Sequence, residues 1–296
     1  MTDERVWTVR EALAWTKDYL ATKADSNPRL SAEWLLSAAT GLTRLELYAH
    51  CDRPLSAEER SVLREGVRRR AEGEPLQYVT GEMAFRHLVV RVEPGVLIPR
   101  PETEVLVDEA LRAISAIDGP LVLDLCTGSG CVALSIAQEA PTARVWAVDL
   151  SPQACVCTEA NSERLRLSER VRVAEGDLFG ALPEELRGRF DLVVANPPYI
   201  PSADVALLPA EVGRFEPVLA LDGGEDGLAV ARRIWAEARD WLRPGGTIAL
   251  ELDERRLRAA GEEIVEWYEE VRIVPDLAGR DRVLVASAAS ADATTR

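Results

Sequence analysis

Two groups of residues in this chain have the types and spacing to do chemistry. The first is Asp124-Leu125-Cys126-Thr127-Gly128-Ser129-Gly130, which ends an apolar run and opens a helical pattern. Small residues at such a junction let the backbone approach a ligand and leave the first amides of the helix pointing outward. Asp149 ends the next apolar run, Arg144-Val145-Trp146-Ala147-Val148-Asp149. That is the position of the acidic residue that grips a ribose diol in nucleotide-binding α/β folds. Taken alone, this pair accommodates a dinucleotide as readily as S-adenosylmethionine, and a glycine turn without a ligand is the plainer reading.

The second group separates these options. Asn196-Pro197-Pro198-Tyr199 directly follows the run Phe190–Ala195, at the carboxyl end of a strand, where open α/β sheets bind ligands. The prolines fix φ and stiffen the loop. The Asn196 side-chain carbonyl and the Pro197 main-chain carbonyl are two fixed acceptors, enough for both hydrogens of an NH2 group. Holding them aims the nitrogen lone pair at a methyl donor. An amide nitrogen is a poor nucleophile, so orientation and electrostatics must supply the catalysis. Tyr199 offers a ring to stack on a planar amide or base. A dinucleotide oxidoreductase would leave these four residues without a task, and a degenerate scaffold would have no reason to keep them.

The elements that carry these groups are legible in outline. The first eighty residues read as three or four short helices. Thr8–Glu11, Thr43–Glu46 and Ser56–Glu59 match the capping box, and Asn27-Pro28 and Gly41 punctuate. The stretch Phe85–Val92 is β-rich and Glu93-Pro94-Gly95 turns the chain. From residue 97 apolar strands alternate with helical segments at 131–140, 153–166 and 226–242. This implies a parallel sheet covered on both faces. The late runs Val271–Val274 and Val283–Ala286 have no helix between them and suit an antiparallel pair at one edge. The expected division is a helical substrate-recognition domain over 1–80, a β-hairpin linker over 81–96, a methyltransferase domain over 97–287 and a disordered Ala/Ser/Thr-rich tail over 288–296.

Bulk properties narrow the function. The formal charge of −15 argues against a binder of nucleic-acid phosphates. The densest basic run, Arg68-Arg69-Arg70, reads as a solvated helix end. Five cysteines and two widely separated histidines form neither a disulfide framework nor a zinc site. No apolar stretch of membrane-spanning length and no signal-peptide core are present, so a cytoplasmic location is expected. No long apolar stripe is left over for an interface, which makes a monomer the default.

The chain resembles the HemK or PrmC family of bacterial release-factor glutamine N5-methyltransferases. The matching stretches are Glu74–Tyr78, Leu97-Ile98-Pro99-Arg100-Pro101-Glu102-Thr103-Glu104, the Asp124–Gly130 loop, Gly176–Phe179, Asn196–Tyr199, Glu216-Pro217, Gly223–Leu228, Pro244–Gly246 and Asp276–Arg282. Asn-Pro-Pro-Tyr is shared with DNA adenine methyltransferases; the Ile-Pro-Arg-Pro-Glu-Thr-Glu and Leu-Ala-Gly-Arg-Asp-Arg strings are more specific. The resemblance implies a class I, Rossmann-like, seven-stranded S-adenosylmethionine-dependent domain behind a small helical bundle. It implies that Cys126, Thr127, Gly128, Ser129 and Gly130 line the cofactor, with Asp149 on the ribose, Asp177 and Leu178 near the adenine, and Asn196 at its reactive end. It implies further that Asn196, Pro197, Pro198 and Tyr199 hold the glutamine of a Gly-Gly-Gln tripeptide in a release factor, with Asn196, Pro197 and Tyr199 catalytic. Arg100 and Glu102 fall near the methionine end of the cofactor, or form an interdomain ion pair. The alternative substrates are a ribosomal-protein glutamine and an exocyclic amine of nucleic acid. The chain departs from the family at Cys126, in place of a loop glycine, at Leu178, in place of an aromatic, and in Leu250–Asp253, in place of an ending with glycine.

Overall fold

A computed structural model of the chain describes residues 6–289; the tail expected at 288–296 lies almost wholly outside the described residues. The chain divides into two compact units. One runs to Glu82 and takes in 210–215; the other comprises 83–209 and the chain from Glu216 on.

The first unit is helical: α1 (Val9–Ala21), α2 (Pro28–Thr40), α3 (Arg44–Ala49), α4 (Ala57–Ala71) and α5 (Leu76–Thr80). All three capping boxes form, at Thr8–Glu11, Thr43–Glu46 and Ser56–Glu59. Asn27 caps α2 ahead of Pro28, and Gly41 ends it. Leu20, Leu35, Leu36, Leu47, Leu63 and Val67 make the core. The basic run at the end of α4 is solvated only in part: Arg68 is exposed and Arg70 is not. Arg68 pairs with Glu65 and Glu72, Arg69 with Glu74, and Arg70 is buried against Asp25 and Glu211. Burial of Arg70 is tolerable because two carboxylates neutralise it.

The second unit begins with a hairpin, β1 (Glu82–Phe85) and β2 (Leu88–Arg91). The apolar run at 85–92 is thus broken in two, by Arg86 in the left-handed region at φ 49°. Then follow α6 (Glu104–Ile114), β3 (Leu121–Leu125), α7 (Cys131–Glu139), β4 (Arg144–Asp149), α8 (Pro152–Arg164), β5 (Val171–Glu175) and β6 (Phe190–Ala195). Next come the short helices α9 (Ser202–Val205) and α10 (Ala210–Gly213), the latter belonging to the first unit. The chain closes with α11 (Ala229–Trp241), β7 (Leu242–Glu251), α12 (Glu254–Ile264), β8 (Glu269–Pro275) and β9 (Asp281–Ser287).

The large sheet has seven strands in the order β5-β4-β3-β6-β7-β9-β8, parallel from β5 to β7 and antiparallel at β9 and β8. The seven-stranded Rossmann-like class follows from this order. The late runs do pair antiparallel, with β9 inserted between β7 and the edge strand β8. Central strands are apolar on both faces: Val122, Leu123, Leu125, Leu192, Val193 and Val194 are fully buried, as a sheet covered by helices requires. Edge strand β8 carries Glu269, Glu270 and Arg272 outward, which discourages pairing with another chain. The winding reverses between β3 and β6. The carboxyl ends of β3, β4 and β6 therefore flank a topological switch point, the ligand crevice of open α/β sheets.

Candidate active site

A cavity of about 310 Å³ opens at that switch point, within the range of about 300–1,000 Å³ usual for small-molecule sites. The loop after β3 forms one wall. Asp124, buried at the strand end, accepts the Thr127 hydroxyl at 2.7 Å and the Ala133 amide of α7 at 3.1 Å. It thereby staples the loop to the first turn of the helix. Burial pushes its carboxyl up to about 7, against the Thr127 and Ala133 hydrogen bonds that favour ionisation. Helix α8 holds the loop from the other side. Thr158 donates to the Gly128 carbonyl at 3.0 Å and Asn161 to the Ser129 carbonyl at 2.9 Å. Gly130 starts α7 at φ 79°, and a Cβ there would meet Thr158 Cγ2 at 2.8 Å; no other residue fits.

Cys126 occupies the left-handed region at φ 59°, which explains why glycine is the easier residue at this position. Its thiol is held far above the ordinary range, first by burial and then by the nearby Asp149 charge, so it is no nucleophile. Leu178 is also left-handed, at φ 50°, and buried. Two side-chain-bearing residues in a conformation suited to glycine, both lining one cavity, are a mark of a functional site.

Asp149 ends β4. One carboxylate oxygen accepts the Gly128 amide at 2.8 Å and the other the Ser151 amide at 2.9 Å. Burial raises its pKa; the backbone donors of Ser151, Gly128 and Leu150 pull it back. Each oxygen keeps a second lone pair, so the carboxylate fits a diol. Beyond it, exposed Asp177 pairs with Arg233 of α11 at 2.9 Å.

The segment after β6 forms the opposite wall. Asn196 and Pro198 line the cavity, Pro197 is buried, and Tyr199 is half-buried outside the lining. Burial, and then the Glu251 charge, hold the Tyr199 phenol neutral by raising its pKa. The loop lies against Gly223, where a Cβ would stand 2.7 Å from the Pro198 carbonyl and 2.8 Å from Tyr199 Cα. The Ile200 amide donates to the Leu221 carbonyl at 2.9 Å, and the Gly223 amide donates to the Ile200 carbonyl at 2.8 Å. The Gly223–Leu228 stretch thus supports the Asn196–Tyr199 loop. The Asn196 Nδ2 group donates to the Thr103 hydroxyl at 3.3 Å.

Arg100 and Glu102 do not form an interdomain ion pair. Arg100 lines the cavity and pairs with buried Glu216, and Glu102 pairs with Arg280 at 3.3 Å, all inside the second unit. The two most specific strings of the sequence are therefore tied to each other. Several lining residues lie outside the sequence expectation, among them Gly95, Thr103, Gln153, Leu219 and Arg233. Their positions are fixed by the folding of the chain, which no local pattern announces; of the five, Thr103 alone falls within a stretch that carries the family resemblance.

Family models match over two stretches: a PrmC N-terminal domain over residues 11–81 and a methyltransferase small domain over 102–208. The release factor glutamine methyltransferase of Geobacter sulfurreducens is 49% identical over 83% of this chain and 84% of its own. That of Moorella thermoacetica is 42% identical over 94% of this chain and 98% of its own. The chain belongs to the release factor glutamine methyltransferase family. Such relatives cover both the helical region and the sheet, as the motif resemblance implied. A methyltransferase from Pyrococcus furiosus shares the fold, with TM-score 0.50 and 20% identity over 68% of this chain and 88% of that one. Membership makes the chain an S-adenosylmethionine-dependent methyltransferase, and the Asp149 carboxylate and Asp124-stapled loop suit that cofactor. Among the described residues no helix is long and apolar enough to cross a membrane.

Proposed function

We propose that the chain methylates the side-chain amide nitrogen, N5, of the glutamine in the Gly-Gly-Gln tripeptide of peptide chain release factors. The observation that carries this reading is the Asn196 amide. Its Nδ2 is committed to Thr103, so its carbonyl oxygen is the atom offered to a ligand in the cavity. When bound, S-adenosylmethionine supplies an electrophilic methyl on a sulfonium sulfur. Cys126, Thr127, Gly128 and Ser129 would cradle it, with Gly130 opening α7 behind them; Asp149 would take the ribose hydroxyls, and Asp177 and Leu178 would border the adenine. Asn196 Oδ1 and the Pro197 carbonyl each accept one amide hydrogen of the substrate glutamine, Pro198 stiffens the pair, and Tyr199 packs against the amide plane. Neither histidine lines the cavity, and none is needed. The amide proton becomes acidic only after the nitrogen has bonded to carbon, and water then takes it. Orientation and fixed acceptors do the work.

The helical domain is the natural seat for the protein substrate. The acidic surface speaks against direct nucleic-acid binding, and the reading takes the enzyme as a cytoplasmic monomer. Incubation with labelled S-adenosylmethionine and, separately, release factor, ribosomal protein and DNA tests it. Label should enter release factor at the Gly-Gly-Gln glutamine. Equal labelling of DNA would overturn the substrate assignment.

A further inference from the structure

Behind Asn196 lies a buried carboxylate to which methyl transfer as described gives no task. Glu251 ends β7, one residue beyond Leu250, whose register partner on β6 is Ala195, the residue before Asn196. Glu251 is 1% exposed, and its Oε2 has no hydrogen-bond partner. Thr103 stands between the two. It is 2% exposed, and the hydroxyl oxygen that receives the Asn196 Nδ2 group belongs to a side chain that favours ionisation of the neighbouring Glu251 carboxylate.

The direction of this relay follows from hydrogen-bond capacity. An ionised carboxylate only accepts, and a threonine hydroxyl has one proton to give. Thr103 therefore donates to Glu251, and its lone pair faces Asn196. Rotating the Asn196 amide by half a turn would set its carbonyl against that lone pair and leave a buried acceptor unmatched, which is costly. The amide is thus held with Nδ2 inward and Oδ1 toward the cavity. We propose, building on the amide-methylating reading above, that Thr103 and Glu251 are positioning residues that lock the Asn196 carbonyl toward the substrate nitrogen, and that the lock holds only while Glu251 is ionised.

A protonated Glu251 can itself donate to Thr103. The threonine proton then turns to Asn196, the carbonyl rotates inward to accept it, and the NH2 group faces the substrate. Two N–H groups would then confront the glutamine NH2, and the clamp would be lost. The surroundings put this change near neutrality. Burial pushes Glu251 up to about 7, opposed by the adjacent Thr103 hydroxyl and the Arg282 and Arg100 charges and reinforced by Glu102. Arg282 faces it from β9, Arg100 and Glu102 from the segment before α6, Tyr199 from the loop after β6, and Cys131 from α7.

The test measures single-turnover methylation of intact release factor, and S-adenosylmethionine affinity, from mildly acid to mildly alkaline pH. The full-length natural enzyme is compared with Thr103→Ser, Thr103→Val and Glu251→Gln. The natural enzyme should slow as pH falls through about 7. Thr103→Ser should keep its turnover, and Thr103→Val should lose about tenfold or more with cofactor affinity nearly unchanged. Glu251→Gln should be slower and lose the acid limb. Equal turnover in the Ser and Val variants, or an unchanged acid limb in Glu251→Gln, would overturn the lock while leaving the methylation itself standing. No methylation of release factor by the natural enzyme would remove the reading on which the lock depends, and the lock with it.

Discussion

The backbone amide of Gly128 donates to the Asp149 carboxylate at 2.8 Å, so the glycine loop after β3 and the acidic end of β4 are one structural unit. The carboxylate proposed to take the ribose hydroxyls therefore also fixes the loop proposed to cradle the rest of the cofactor. Removing the carboxylate should cost more than the ligand contact alone.

Asp149→Ala should weaken S-adenosylmethionine binding by about 1.5–3 kcal/mol, the range for hydrogen bonds to a charged group. Asp149→Asn, which keeps an acceptor for the Gly128 amide, should lose less. Calorimetry on the two folded variants measures both. Unchanged affinity in the Ala variant would take Asp149 out of the cofactor site.

Asn196→Ala removes one fixed acceptor from a partly dry cavity. Turnover with release factor should fall on the order of 100-fold or more. Cofactor affinity should change much less, because the contact is realised with the substrate in place. Near-normal single-turnover rates would refute the amide clamp.

Gly130→Ala tests the loop as a packed object. The new methyl meets Thr158 Cγ2 at 2.8 Å in a backbone held at φ 79°. Strain of this kind costs roughly 1–3 kcal/mol. A lower denaturation midpoint should therefore accompany weaker cofactor binding. A variant with natural stability would mean that Thr158 gives way freely.

The parts legible in advance were those with local causes. Capping boxes mark α1, α3 and α4 because their side chains bond within four residues. The apolar runs that became β3, β4 and β6 are readable because burial on both faces leaves few polar positions, Asp124, Arg144, Asp149 and Asp191. The alternating charges of 104–114 and 254–264 hide helices whose apolar faces, Leu106, Val107, Ala110 and Ile114, and Leu257, Ala260 and Ile264, are nonetheless buried. The relay from Asn196 to Glu251 was out of reach. It joins three segments whose meeting depends on the β6–β7 register. Arg70 was misread for a similar reason, since Asp25 and Glu211 reach it from distant positions in the chain.

Buried carboxylates of opposite tendency should give the two units opposite responses to pH. Asp124 and Glu251 are both pushed up to about 7, chiefly by burial. A folded-state pKa above the unfolded value means that the folded state binds the proton more tightly. Their contribution is fully present below the ordinary values of 3.8 and 4.5 and is lost as pH rises through about 7. Glu33 is the reverse case. Burial would raise it, but the hydrogen bonds from Tyr48, Arg44 and Arg29 outweigh burial and lower it to about 2. Its contribution is present above 4.5 and disappears as pH falls through about 2. Asp124→Asn should therefore lose less stability than the natural chain between mildly acid and neutral pH. Glu33→Gln should narrow the loss on acidification. Denaturant titrations of the full-length variants across pH, followed by a probe in each unit, decide it. An Asp124→Asn profile parallel to that of the natural chain would show that Asp124 does not titrate in this window, and would place the charge within the fold at every pH above the acid limit.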